Sequence, residues 1–447
     1  MTFTTGMTTY TTRAARVLAR IDALAAISED TTGITRTFGT PAFVRGRELA
    51  RGWMEAAGLT VRVDSIGNLR ARRETTVPGA KTLVIGSHID TVVNAGRHDG
   101  PLGVLLGLDV LEHLGPAPLP FHVELIAFSD EEGVRFHTTY LGSNVVAGSF
   151  DENLLTRTDA NGITLAQALA EMETTEPATR NKLAGMITTE PATSNQKPET
   201  RNFQADAIAP DDFLGYFEAH IEQGPVLWKS GQPVAVVTAI AGQRRCELTW
   251  RGTAGHAGTV PMTLRQDALA AAAGFVLAAE TLARADPTGL VATVGKLTVA
   301  GAASNVIPGD VVCTLDVRAP EEAHLAAAYD TLHRAATDIA TARNVGLTWK
   351  LVQAGAPVAC DAALTTLLAD AIRDAGHPPV RLVSGAGHDA VPLSAVAPVA
   401  MLFIRCYKGI SHNPLEAVEA PDVAAALAVT DRFVALLAAQ PFSLNAQ

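Results

Sequence analysis

Apolar residues recur at helical spacing over 13–27 and 41–58, and the β-rich run Leu59–Val63 then leads into a Gly67-Asn68 turn signal. The chain therefore opens as helices followed by a hairpin. Thr82–Gly86 (TLVIG) is a compact apolar run of the kind a strand buried on both faces needs. A helix over Pro101–Leu114 and a strand over Phe121–Phe128 (FHVELIAF) follow. Strands alternating with helices predict an α/β sheet.

Between 171 and 210 the pattern dissolves. TTEPAT stands at 174–179 and again at 188–193 among Pro, Thr, Asn and Lys, which predicts a low-complexity surface insert without chemistry. Periodicity then returns in a different form. Residues 234–252 and 289–318 read as strands, including Cys246–Trp250 and Val311–Val317, and 261–285 and 320–342 read as helices. Two strand pairs around two helices predict a small α+β unit. Pro378–Val383 and Pro398–Arg405 read as buried strands and 421–439 as an Ala/Val-rich terminal helix, so the first layer resumes. The expected fold class is α/β, with a mixed sheet flanked by helices in a main domain built from 1–233 and 351–447. A smaller α+β domain over 234–350 interrupts it.

Composition narrows the function classes. With 447 residues, 47% hydrophobic and 18% charged, the chain can bury large cores and is not a disordered polymer. Lys+Arg total 35 against Asp+Glu 46, a net charge of −11 that repels nucleic acid and anionic membrane surfaces. The Ala-rich stretch 267–285, bordered or broken by Asp267, Glu280, Arg284 and Asp286, suits a packed helix rather than a membrane span. Arg13, Arg16 and Arg20 interrupt any signal-like apolar segment at the start. Cys246, Cys313, Cys360 and Cys406 are scattered without a CxxC pair, which fits a reducing, cytoplasmic setting.

Five stretches gather His, Asp and Glu at the ends of apolar runs, where an α/β sheet presents functional side chains: GSHID (86–90), GRHDG (96–100), SDEEG (129–133), EAHIEQGP (218–225) and SHNP (411–414). A single histidine at a strand end is usually a structural residue. Together, three imidazoles and several carboxylates on loops of one sheet suit a site for two divalent ions. The candidate ligands are His88, Asp99, Glu132, His220 and His412. Asp90, two residues past His88, is expected to accept that ring's other N–H. Adjacent Glu131 and Glu132 point apart, so Glu132 can face an ion while Glu131 serves as general base.

These motifs, with IAGQRR, GTAGHAGTVPMTLRQDAL, SNVIPG, LDVR and SGAGHDA, make the chain resemble, over nearly its full length, the M20 peptidase-like amidohydrolases. The similarity is to the branch holding N-carbamoyl-L-amino acid hydrolases and allantoate amidohydrolases. ITRTFGTPA, DEEGVRFHTTYLGS and LFIRCYKGISHNP look closer to the latter. The resemblance implies one ion on His88, Asp99 and His220 and a second on Asp99, Glu132 and His412, with Asp99 bridging and Glu131 activating water. Mn²⁺ is favoured, with Zn²⁺ or Co²⁺ as alternatives. It also implies that His256, Asn305 and Arg318 hold the substrate carboxylate or stabilise the oxyanion, His256 counting with Glu131 as catalytic, and that Gln223 is a further substrate contact; a planar Arg fork suits a carboxylate. His256 would reach a partner's site in a homodimer formed through the inserted domain, which would also act as a lid.

The expected substrate is a small ureido carboxylate: allantoate, giving ureidoglycine, ammonia and carbon dioxide, or alternatively an N-carbamoyl-L-amino acid. A non-catalytic metal-binding relative is the rival from another class, and Glu131 argues against it. His98, His137 and Trp228 depart from the family pattern, and His98 is taken as a neighbour of the site. His388 and Asp389 can line a pocket or simply stabilise a buried turn.

Overall fold

The computed structural model describes residues 7–115, 118–175 and 201–440. It divides into two compact units, Met1–Thr238 with Cys360–Leu382 and Gly387–Gln447, and Ala239–Ala359 with Val383–Ala386. The second unit was expected over 234–350. It runs further because strand pairing along its sheet continues to Gly355.

In chain order the strands are β1 Thr60–Val63, β2 Leu69–Arg73, β3 Thr82–His88, β4 His122–Phe128, β5 Phe213–Ile221 and β6 Val234–Ile240. Next come β7 Gly242–Arg251, β8 Gly255–His256, β9 Val291–Thr293, β10 Leu297–Val299, β11 Val306–Ile307, β12 Asp310–Ala319 and β13 Gly346–Gly355. β14 Val358–Ala359, β15 Arg381–Ser384 and β16 Val399–Ile404 close the series.

The larger sheet is nine-stranded, in the order β1-β2-β4-β3-β5-β16-β6-β14, with β15 beside β6. Its middle strands β4, β3, β5 and β16 run parallel, and the outer pairings β1–β2, β2–β4 and β16–β6 are antiparallel. Every residue of β3 and β16 is buried, as parallel strands covered on both faces require. The helix Pro101–His113 lies against β3 and β5, and Gly103 sets how closely it approaches. A Cβ there would sit 2.1 Å from the Ala219 carbonyl oxygen. The sequence order β3, β4, β5 is β4-β3-β5 in space, so the chain steps from β3 to β4 on one side and crosses back past β3 to β5 on the other. Such a switch point is where open α/β sheets place their sites, at the carboxyl ends of the strands.

In the second unit, β10-β12-β7-β13 form an antiparallel sheet with β9 against β12. β12 alternates strictly. Val311, Cys313, Leu315, Val317 and Ala319 are buried, and they join Trp250 and Phe275 in a core of their own with the helices Ala268–Ala285 and Glu322–Ala342. The first helix was expected from 261. It starts at Ala268 because Asp267 accepts the Ala270 N–H at 2.9 Å, while Met262–Leu264 form a separate 3₁₀ turn. By length and composition this helix could cross a membrane, yet Ala268, Ala271, Ala272, Phe275 and Ala279 pack into the core. All four cysteines are free.

Two further expectations change. Pro378–Val383 is replaced by the shorter β15, in which Arg381 and Val383 are exposed and only Ser384 is buried. Residues 176–200 of the expected insert lie outside the described residues, but its borders are integral to the first unit. Phe203 is buried, and Asp206 accepts the Ser65 N–H at 2.8 Å while its carbonyl accepts Arg70 Nη1 at 2.6 Å.

Candidate metal centre

Four parallel strands deliver the predicted side chains to one place. His88 is the last residue of β3, His220 the penultimate residue of β5, Glu131 and Glu132 follow β4, and His412 lies in the loop after β16. Asp99 precedes the helix Pro101–His113. Gly100 stands between them at φ +83, where a Cβ would meet the His88 ring at 2.5 Å. Only glycine fits that position. Asp130, Gln223 and His412 also adopt positive φ, so backbone strain concentrates around the cluster.

Potential ligand atoms of His88, Asp99 and His220 lie within 4.8 Å of one another, as do those of Asp99, Glu132 and His412, and those of His88, Glu131 and Glu132. Asp99 Oδ1 is 3.1 Å from His220 Nε2, and Asp99 Oδ2 is 3.1 Å from His412 Nε2, which itself lies 3.5 Å from Glu132 Oε1. Asp99 thus offers one oxygen to each trio. His88 Nδ1 faces the Asp90 carbonyl at 3.0 Å, and His220 Nδ1 faces that of Ile221 at 2.9 Å. A carbonyl can only accept, so each Nδ1 carries a proton and each Nε2 is the nitrogen left facing inward, able to bind an ion once it is unprotonated.

The electrostatics call for a cation. Glu131 is buried, and burial first, then Glu132, Asp389, Asp90 and Asp99, push its carboxyl well above the usual range. Burial and the Asp99 charge raise Glu132 to about 8. Burial holds the His88 ring neutral. Burial also opposes charge on His220, yet Asp99 beside it raises the ring to about 9. Asp99 likewise lifts His412 to about 9. Asp99 Oδ1 is buried and lacks a well-angled hydrogen bond. Mutually repelling carboxylates and imidazole nitrogens that converge on the buried Asp99 carboxylate fit divalent cations.

Asp90 does not accept from His88 through its carboxylate, which is 3.7 Å from Nδ1. β3 ends at His88, so the strand rule that side chains two residues apart share a face stops applying. The carboxylate instead accepts the N–H groups of Glu131 and Glu132, each at 3.2 Å, and fixes the carboxylate pair from behind. Gln223 Nε2 donates to Asp99 Oδ2 at 2.9 Å. His98 belongs to none of these ligand groups among the described residues. His388 is buried with its ring edge-on to His220 at 4.5 Å, and it forms a further trio with Glu218 and His220. Asp389 accepts from Ser143 Oγ at 2.6 Å, which anchors the turn. Trp228 packs edge-on against Tyr407.

His256, Asn305 and Arg318 belong to the second unit. His256 on β8 pairs with Val306 on β11, and the Asn305 carbonyl accepts the Ala257 N–H at 2.9 Å, so the two exposed residues are neighbours. Arg318 on β12 presents its fork to Asp316, with Nε–Oδ1 at 3.0 Å and Nη2–Oδ2 at 2.9 Å, and donates Nη1 to the Gly385 carbonyl. Sequence reasoning missed Ser411, Glu416 and Glu218. The serine donates to Asp99 Oδ2 at 2.8 Å, and Glu218 accepts from Ser87 and Tyr216 beneath His220. Only the proximity of Ser411 and Glu416 to His412 in the sequence pointed toward them.

The model of peptidase family M20/M25/M40 matches residues 84–436. The chain belongs to that family. A probable allantoate deiminase of Oryza sativa subsp. japonica is 39% identical, over 91% of this chain and 85% of its own length. An N-carbamoyl-L-amino acid amidohydrolase of Geobacillus stearothermophilus is 38% identical, over 86% of this chain and 88% of its own. The crystal structure of an amidase of the hydantoinase/carbamoylase family from Burkholderia multivorans matches with a TM-score of 0.84 and 32% identity, over 96% of this chain and 98% of that one.

Proposed function

We propose that this chain hydrolyses the ureido C–N bond of allantoate at a centre for two divalent ions, releasing ammonia and carbon dioxide and leaving ureidoglycine. It is a hydrolase of C–N bonds. The observation that carries the finer reading is the convergence of His88, Asp99, Glu132, His220 and His412, with Glu131 at the same opening. His88, Asp99 and His220 would hold one ion and Asp99, Glu132 and His412 the other; this mixed donor set suits Mn²⁺, Zn²⁺ or Co²⁺, and the resemblance to allantoate amidohydrolases favours Mn²⁺. The ions, when bound, polarise the scissile carbonyl and acidify water.

Glu131 is the group left to move protons. Its raised affinity for a proton suits a base that takes one from water and returns it to the departing nitrogen. Asp90 holds the backbone of Glu131 and Glu132, and so keeps base and ligand oriented apart. Gln223, His256, Asn305 and Arg318 are assigned to the substrate, with Arg318 receiving its carboxylate. A homodimer formed through the second unit would bring His256 to a partner's site, and the four free cysteines support a reducing, cytoplasmic compartment.

The name of the rice relative favours allantoate, and that of the Geobacillus relative favours an N-carbamoyl-L-amino acid as the second reading. Ammonia release from the Mn²⁺-loaded protein, with allantoate and a panel of N-carbamoyl-L-amino acids at equal concentration, decides between them. Faster turnover of allantoate is expected. Preference for a carbamoyl amino acid moves the assignment, and silence on both overturns it.

A further inference from the structure

Glu416 is 4% exposed and lies in the loop beyond His412, and none of the chemistry above uses it. Its Oε1 accepts the backbone N–H of His98 at 2.7 Å and that of Asp99 at 3.2 Å. Its Oε2 is 3.3 Å from Ser411 Oγ, and that hydroxyl donates its single proton to Asp99 Oδ2 at 2.8 Å. One buried carboxylate therefore holds the backbone of both His98 and Asp99, and it lies beside the hydroxyl that donates to the Asp99 side chain. The Asp99 loop has room for it only because residue 96 is glycine, since a Cβ there would lie 2.2 Å from Glu416 Cδ. Gly96 lies outside the left-handed region, so what it supplies is space.

Glu416 joins segments 317 residues apart, one ending in Asp99 and the other carrying His412. His88 and His220 have supports of their own, the ends of β3 and β5 and the carbonyls of Asp90 and Ile221. His412 sits on a loop at positive φ and is far more exposed, 48% for its side chain against 2% for His220. Loosening the Glu416 tie should therefore disturb the Asp99, Glu132 and His412 trio before the other.

We propose that Glu416 is a positioning residue that locks the Asp99 loop to the His412 loop and so sets the affinity of the second ion. This rests on the two-ion reading above. Charge-assisted hydrogen bonds to buried N–H groups are short and strong, and partners behind a metal ligand typically control affinity by roughly 10–100-fold.

The test is Mn²⁺ binding to the full-length protein by chelator competition and elemental analysis, with the melting temperature of the metal-free form measured alongside. Glu416→Gln keeps the volume but removes the charge that strengthens both N–H bonds, and Gly96→Ala keeps the carboxylate but fills its seat. Wild type should bind two equivalents. Each variant should keep the first ion within about 2-fold and bind the second about 10–100-fold more weakly, with kcat recovering in excess Mn²⁺. Recovery by excess ion is not expected of damage that is merely structural. Two equivalents at wild-type affinity in Glu416→Gln overturn the proposal, as does equal weakening of both ions with an early melt. Should Gly96→Ala not fold, Glu416→Gln decides alone. Fewer than two equivalents in the wild type removes the two-ion reading, a failure distinct from unchanged binding in the variants.

Discussion

Loading the centre with divalent ions should expel protons, and the number follows from who faces Asp99. His220 and His412 each point Nε2 at that carboxylate from 3.1 Å, and both titrate near 9 in the metal-free protein. Two pH units below that value, a ring is about 99% protonated. Metal coordination needs the Nε2 lone pair, so each ring must release its proton. Glu132, raised to about 8, adds most of a third at pH 7, while His88, kept neutral by burial, adds none. Metal-free values above 7 mean that protons compete with ions at neutral pH, so apparent affinity should rise with pH. The slope is about one decade per pH unit for each proton displaced, flattening above about pH 9. Isothermal titration of Mn²⁺ in buffers of different ionisation enthalpy measures the release, and between two and three protons at pH 7 are expected. Heats independent of the buffer would refute the reasoning, because His220 and His412 would then already be neutral and Asp99 would not be charging them.

Glu131→Gln should lower kcat about 10²–10⁴-fold while the protein retains its ions by elemental analysis; unchanged turnover sinks the assigned base. Gly100→Ala forces φ +83 on a residue with a Cβ and drives it against the His88 ring. A loss of about 1–3 kcal/mol in denaturant unfolding, with weakened binding of the first ion, is expected. Arg318→Lys replaces a fork by a single point charge, so KM for the ureido carboxylate should rise about 10–100-fold with kcat little changed. Wild-type KM in that variant would assign the arginine wholly to its pair with Asp316.

The cluster was legible because its members stand at the ends of strongly apolar runs. Once TLVIGSH and FHVELIAF are strands of one sheet, His88 and the SDEEG loop must meet at its carboxyl edge. Asp90 was misread because alternation of side chains was extended past the end of β3, where the chain turns and the carboxylate finds backbone amides instead. Glu416 escaped notice because its partners at 96–99 are remote in sequence, and nothing in a single chain pairs a glycine with the carboxylate it admits. The 171–210 stretch misled at its borders. Repetition of TTEPAT masked Phe203 and Asp206, two ordinary residues that pack on and bond to the first unit. The second unit was readable from the strict alternation in β12, but helix capping at Asp267 moved its first helical boundary, since apolar spacing alone does not mark where capping begins.

The most direct measurement is ammonia release from allantoate as a function of Mn²⁺ added to protein first stripped by a chelator. Stripped protein should be inactive and activity should climb to a plateau at two equivalents per chain, with Asp99→Asn unable to reach it. Full turnover after complete metal removal, or a plateau at one equivalent, would contradict a shared centre built on Asp99.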